Sequence, residues 1–246
     1  MNPNIICEIG INHEGSVAKA MQLIQEIADA GLEYAKFQVW DENYFDNDPN
    51  KETFRKFYLS NKEMITLIDE AHIRGLKWGA STFGDGATNF VLHQNPDFFK
   101  VASRRAGDKA LAQQLLAAGY KKPILISDGM HKLVNGKRYI WNGLLTQCRF
   151  LWCQSKYPTP PELAMLRYLT GGERFHGYSD HTIGTDAVLV AGILGAEWIE
   201  KHTCTAEQRL EWLNFGWAAT PDICCSTTAK FIAEAQAQML NGRRYL

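Results

Sequence analysis

Two histidines stand at matching places in the stretch from Phe175 to Cys204, FHGYSDHTIGTDAVLVAGILGAEWIEKHTC. His181 follows the short strand-like run Phe175–Tyr178 and the pair Ser179-Asp180, and His202 follows Trp198-Ile199-Glu200-Lys201. Successive parallel strands lie about 4.8 Å apart, so residues at the mouths of two neighbouring strands can meet over one point. Two neutral imidazoles converging there make a divalent-metal site, with further positions open to water or substrate. A single histidine near a strand end is more often a hydrogen-bonded structural residue. Two at equivalent ends, flanked by Asp180 and Lys201, favour the metal, because charged groups at a barrel mouth are expensive without a task.

The elements that must position them alternate along the chain. Strands are expected at Ile5–Ile11, Tyr34–Val39, Lys77–Thr82, Phe98–Ser103, Pro123–Ser127, Arg149–Gln154, Phe175–Tyr178 and from Trp198. Helices are expected at Ser16–Ala30, from Ser60 with Glu63 in capping-box spacing, at Gly86–His93, Lys109–Ala118, Pro161–Leu169, Asp186–Leu194 and Ser226–Leu240. Ser179 to Thr182 are placed to cap the helix that ends at Gly195. Asp41 to Lys51 reads as a loop, and between His131 and Gln147 Asn135-Gly136 and Trp141-Asn142-Gly143 leave room only for a short or replaced helix. Eight strands with crossover helices in 246 residues give a single-domain α/β chain, residues 1–246, folded as a (β/α)8 TIM barrel.

Barrel chemistry sits at the C-terminal ends of strands. Here those ends carry Glu8, Asn12 and His13, Lys36 and Gln38, Ser81 and Thr82, Lys100 and Ser103, Ser127 and Asp128, and Gln154, Ser155 and Lys156. Lys36 and Lys100 fall inside apolar strands, where a buried ammonium needs an anionic partner: a phosphate or carboxylate ligand, or a neighbouring carboxylate such as Glu8. Ser103, Ser127 and Ser155 on successive strand ends are hydroxyl donors suited to phosphate oxygens.

Composition narrows the partners. With 46% hydrophobic and 22% charged residues the chain can bury a substantial core, and a formal net charge of -1 gives no electrostatic reason to expect nucleic acid or an anionic membrane. No run approaches the ~18 apolar residues of a membrane span, and Met1-Asn2-Pro3-Asn4 leads into a strand without a signal-peptide pattern, so a cytoplasmic location is expected. The cysteines at 7, 148, 153, 204, 224 and 225 have no disulfide-framework spacing and read as reduced packing residues, Cys224-Cys225 within the last helix.

From about residue 5 to 204 the motifs Glu8-Ile9-Gly10-Ile11-Asn12-His13-Glu14-Gly15, Lys36-Phe37-Gln38, Phe99-Lys100-Val101-Ala102-Ser103, Ile126-Ser127-Asp128-Gly129-Met130, Tyr157-Pro158-Thr159-Pro160, Gly177-Tyr178-Ser179-Asp180-His181-Thr182 and Ile199-Glu200-Lys201-His202 resemble, in order, the barrel domain of the sialic acid synthases. The resemblance implies a metal-assisted condensation of phosphoenolpyruvate with an N-acetylmannosamine-like aldose to a nine-carbon 2-keto acid, with manganese or magnesium as cofactor. It implies His181 and His202 as metal ligands and, with Glu8 at the reacting centre, as the catalytic group. Lys36, Lys100, Ser103, Ser127 and Ser155 would hold the phosphate end of phosphoenolpyruvate, and Ser179 its carboxylate.

The chain departs from that pattern in places. Asp128 stands where the family usually has Thr, Arg104-Arg105 where it has Gly-Glu, and Glu211 to Ala219 offers Asn214 in place of a Gly-Pro-Asp segment. The sequence stops at Leu246 without the family's C-terminal antifreeze-like domain, so the expected assembly is a homo-oligomer or a partner protein that completes the sugar site. Two other readings follow from these departures. One is a non-catalytic barrel that binds an anion or a partner protein. The other is a phosphoenolpyruvate-aldose synthase acting on a shorter or phosphorylated sugar, with Arg104-Arg105 on the extra phosphate.

Overall fold

Ile6, Tyr34, Phe98, Leu125, Leu151 and Trp198 come from six different strands and form one buried cluster, which requires the strands to close around them. The strands are β1 (Asn4–Gly10), β2 (Tyr34–Trp40), β3 (Lys77–Phe83), β4 (Phe98–Val101), β5 (Ile124–Asp128), β6 (Cys148–Cys153), β7 (Gly177–Asp180) and β8 (Trp198–His202). Each pairs in parallel with the next and β8 returns to β1, so the expected (β/α)8 barrel is the fold. The structure, a computed structural model, describes residues 2–130, 140–164, 166–170, 175–215 and 225–242. The six-residue plug fills the N-terminal end of the lumen, each large side chain contributing about 1.5–3 kcal/mol by its burial. Tyr34, Phe98 and Trp198 pack there with ring centres 5.3–6.2 Å apart.

The helices are α1 (Val17–Asp29), α2 (Lys51–Lys56), α3 (Asn61–Ile73), α4 (Asp85–His93), α5 (Lys109–Ala117), α6 (Asp186–Ile193), α7 (Ala206–Phe215) and α8 (Ala229–Gly242). Their starts follow the capping chemistry: Ser16 accepts from Lys19 N, Asp108 from Leu111 N, and Ser60 with Glu63 forms a full capping box. Apolar stripes turned to the barrel, such as Ala20, Leu23, Ile24 and Ile27 in α1, recur at helical spacing and are buried. Among the described residues no helix is long and apolar enough to cross a membrane.

Several elements differ from expectation. Pro161–Leu169 is two short 3-10 turns, Pro161–Leu163 and Leu166–Leu169, because the Ala164 carbonyl accepts the Trp152 indole N–H at 2.7 Å instead of continuing a helical ladder. The Asp41–Lys51 loop runs directly into α2, and β4 stops at Val101, with Ser103 opening a 3-10 turn to Arg105. β7 begins at Gly177, two residues later than Phe175. A Cβ at Gly177 would fall on the Trp198 carbonyl oxygen, so only glycine lets β7 start against β8. Ser179–Thr182 do not cap α6, whose N-cap is Thr185; Asp180 instead accepts from Thr182 N at 2.9 Å and Thr182 Oγ1 at 3.2 Å. α7 was not anticipated, although Thr205 and Gln208 bond reciprocally across a capping-box spacing at its start. The last helix begins only at Ala229, so Cys225 precedes it, buried and reduced. Residues 131–139 with Asn135-Gly136, Cys224, and the side chain of Asn214 lie outside the described residues; Ile140 and Trp141 are 3-10, and Asn142 to Gln147 is turn.

The barrel closes on its own first strand. Glu8 is level with His202 across β1 and β8, and just beyond them Asn12 Nδ2 donates to Thr203 O at 2.8 Å and Ser226 Oγ at 2.9 Å. Gln208 Nε2 then donates to the Asn12 carbonyl at 2.7 Å.

Candidate active site

Side chains two residues apart on a strand share a face, so each plug residue predicts what lies one layer up. Above Ile6, Tyr34, Phe98, Leu125, Leu151 and Trp198 stand Glu8, Lys36, Lys100, Ser127, Cys153 and Glu200. With Ser179, His181 and His202 they line a cavity of about 60 Å³ at the C-terminal end of the lumen. An apolar plug thus carries a layer that is polar apart from the Cys153 thiol, and nearly all of it is buried.

The charges in that layer are matched. Lys36 pairs with Glu8 and, at 3.3 Å, with Glu200, and donates to Ser81 Oγ at 2.9 Å. Lys100 pairs with Glu200 at 3.2 Å and donates to Ser127 Oγ at 2.8 Å. The Ser179 hydroxyl donates to Glu200 at 2.5 Å. Burial alone would raise the Glu200 pKa, but Lys100, Lys36 and the Ser179 hydroxyl outweigh it and hold the carboxyl well below the ordinary carboxylate range. Both lysines therefore have carboxylate partners inside the protein, Glu8 among them. Glu200 bridges the two and escaped the sequence reading as a site residue. Its signal was its place two residues before His202, which puts both on the lumen face.

His181 and His202 do converge, with ring centres 5.4 Å apart and the Tyr157 ring 4.0 Å from His181. Burial lowers the pKa of both, and for His202 the neighbouring His181 lowers it further, so both are neutral imidazoles near neutral pH. His181 Nδ1 lies 2.8 Å from the Gln154 carbonyl. A carbonyl only accepts, so Nδ1 carries the proton and Nε2 keeps its lone pair. Two imidazoles bound to one ion through bonds of about 2.1 Å bring their ring centres to roughly 5 Å, and the observed separation is of that order. The donor chemistry therefore fits a divalent ion, although among the described residues no cluster of three His, Cys, Asp or Glu donors forms.

The remaining expected residues divide. Ser127 and Ser179 line the cavity, as does Ser103, whose Oγ accepts from Gly129 N at 3.0 Å and Met130 N at 2.8 Å. Ser155 does not line it; its hydroxyl donates to Ser103 Oγ at 3.0 Å from the exposed side. Asn12 belongs to the barrel seam, and His13 is structural: its Nδ1 accepts from Gly15 N at 3.0 Å, and burial brings its pKa down to about 4. Asp128 is buried and lines neither this cavity nor its neighbour.

That neighbour is a cavity of about 410 Å³ sharing Gln38, Ala102, Ser103 and Tyr157 with the first. Its far wall is aromatic: Phe45 and Phe54 stack at 3.8 Å, and Phe83 lies 5.3 Å from Phe45. Arg104 reaches it, with its guanidinium 5.8 Å from the Phe45 ring and 3.4 Å from Asp48. Arg105 does not: it is buried, donates to Thr82 O at 3.0 Å and pairs with Asp108 at 2.7 Å. The two arginines thus point to different tasks, and a joint phosphate clamp is not what the geometry forms.

Known proteins resemble this chain in sequence and fold. A protein of Methanocaldococcus jannaschii, MJ1065, is 30% identical over 231 residues, covering 89% of this chain and 66% of its own length. The N-acetylneuraminate-9-phosphate synthase of Mus musculus is 28% identical over 220 residues, covering 80% of this chain and 61% of its own length. The chain thus spans less than two thirds of these relatives. The crystal structure of N-acetylneuraminic acid (sialic acid) synthetase from Leptospira borgpetersenii serovar Hardjo-bovis, in complex with citrate, superposes with a TM-score of 0.85 at 25% identity, covering 99% of this chain and 85% of that one. Residues 23–222, from α1 past the histidine-bearing mouth of β8, match the pattern of one family, and with this barrel, this polar layer and these relatives the chain belongs to the NeuB family.

Proposed function

We propose that this chain condenses phosphoenolpyruvate with an N-acetylmannosamine-like aldose to give a nine-carbon 2-keto sugar acid and phosphate. The observation that carries this reading is the meeting of two buried lysines and the strand-end hydroxyls of Ser127 and Ser179 with a pair of neutral histidines in one cavity.

In the reaction C3 of phosphoenolpyruvate bonds to the aldehyde carbon, whose oxygen takes up a proton. Water adds at C2, and the C2–oxygen bond to phosphate breaks to leave the ketone. Lys36 and Lys100 hold and neutralise the phosphate end, sharing their charge between the ligand and Glu200. Ser103 and Ser127 add hydroxyl donors there, Ser155 supports Ser103 from the exposed side, and Ser179 turns from Glu200 to the substrate carboxylate. Glu8, held against Lys36, orients the water or takes its proton. A manganese or magnesium ion on His181 and His202 would supply Lewis-acid polarisation of the aldehyde.

The test is phosphate release with phosphoenolpyruvate, manganese and a panel of aldoses. Release that depends on the sugar is expected; a folded protein that releases none with any aldose counts against the reaction. The histidines are tested apart from turnover. Titration with manganese alone should show one ion bound by the wild-type protein, and His181→Ala or His202→Ala should each weaken it by at least about tenfold, as loss of even an outer-shell partner does. Wild-type affinity in both variants would make the histidines structural.

A further inference from the structure

If the proposed condensation holds, the aldehyde end of the acceptor must reach the lysine cavity, and its tail must lie in the 410 Å³ cavity that shares Gln38, Ser103 and Tyr157 with it. We infer that this second cavity selects an aldose whose tail is neutral and presents an apolar group, a deoxy methyl or acyl methyl, and that it disfavours a phosphorylated tail. This inference rests on the proposed reaction only for the direction in which the sugar lies.

The walls carry the argument. The face away from the lysines is Phe45, Phe54 and Phe83, with Ile11 and Met130 completing an apolar surface. Phe45 and Phe83 are fixed in a buried aromatic cluster with Trp40, so the wall is preformed rather than adaptable. Arg104 is the charged side chain among the described residues of that lining. Its guanidinium sits between the Phe45 ring and the Asp48 carboxylate, so its charge is already answered, and a phosphate there would meet Asp48 as well. Asn50 and Thr53 leave neutral hydrogen-bonding groups for the sugar hydroxyls. Its polar groups lie with Gln38, Asn50, Thr53, Ser103, Arg104, Ser155 and Tyr157, so the aromatic face is the apolar side of a mixed cavity whose size suits a small molecule.

Saturation-transfer NMR on the full chain, without phosphoenolpyruvate, can rank three probes: N-acetylmannosamine, its 6-deoxy analogue and its 6-phosphate. The 6-deoxy sugar should bind about tenfold more tightly than the parent, the scale on which an apolar pocket reads a methyl group, and the 6-phosphate should bind most weakly. Phe54→Ala should erase the advantage of the 6-deoxy sugar. Phe54→Leu, gentler on folding because it keeps an apolar side chain, should reduce it. Asp48→Asn should strengthen 6-phosphate binding by about two- to fivefold by releasing Arg104 from a half-exposed pair. A 6-phosphate that binds the wild-type protein as tightly as the 6-deoxy sugar overturns the inference. So does a ranking that ignores both Phe54 variants, or no binding of any probe. Calorimetry with phosphoenolpyruvate is run separately: its failure counts against the proposed reaction, while the ranking of the aldoses still decides the inference.

Discussion

Replacing Lys201 by methionine should lower the unfolding free energy by roughly 3–5 kcal/mol, the loss that follows when one partner of a buried ion pair is removed. Lys201 and Asp180 are both wholly buried and pair at 2.7 Å. Lys201 also donates to the Thr182 carbonyl, and Asp180 accepts from Thr182 N, so one pair holds the turn that carries His181. Without the ammonium, the Asp180 carboxylate stays in a dry interior with only neutral donors. The double variant Asp180→Asn with Lys201→Met removes that isolated charge and should recover part of the loss. Urea unfolding of the single and double variants measures this. Each member of the pair directly precedes one of the two histidines, so the pair also sets their separation, and Lys201→Met should weaken manganese binding in the fraction that folds. An unfolding midpoint equal to that of the wild type would show that the charge is not structurally engaged.

Lys36→Ala and Lys100→Ala should each weaken phosphoenolpyruvate binding by about ten- to a hundredfold, because each removes a charge-assisted contact worth roughly 1.5–3 kcal/mol. The two variants should separate in stability. Lys100 shares Glu200 with Lys36, so its loss leaves that carboxylate one cation. Among the described residues Lys36 is the cation paired with Glu8, so its loss strands a buried carboxylate, and Lys36→Ala should be the less stable of the two. Adding Glu8→Gln to Lys36→Ala should restore folding without restoring affinity. Calorimetry with phosphoenolpyruvate reads the affinity and thermal denaturation the stability. Unchanged affinity in both folded variants would remove the lysines from the anion cradle and take the proposed reaction with them.

The barrel was legible because its signals are local and repeated. Ser16, Ser60 and Asp108 each announce a helix through side-chain chemistry that needs no tertiary partner, and β1 to β6 read as apolar runs between such starts. What failed depended on contacts between distant parts. The Ala164 carbonyl is taken by Trp152, which no window around Pro161 could reveal, and Asp180 is drawn from capping by a lysine on the next strand. The site followed the same division. The histidine pair was visible as two equivalent strand ends, whereas the role of Glu200 depends on lysines from β2 and β4 reaching one carboxylate. Arg104 and Arg105, adjacent in sequence, separate because a 3-10 turn sends one to the cavity rim and the other under Thr82.

The seam between β1 and β8 also fixes an order of events during synthesis. β1 leaves the ribosome first, yet its second neighbour is the last strand, and the Asn12 contact to Ser226 spans 214 residues. At the usual elongation rate of about 5–20 residues per second, β1 waits roughly 10–40 s with one backbone edge and an apolar face uncovered. An open edge of that kind is a template for pairing with another nascent chain. Nascent barrels of this protein are therefore exposed to misassembly until the final strand emerges, and a holdase that covers Ile5 to Ile9 during that interval would act on yield without touching the finished barrel.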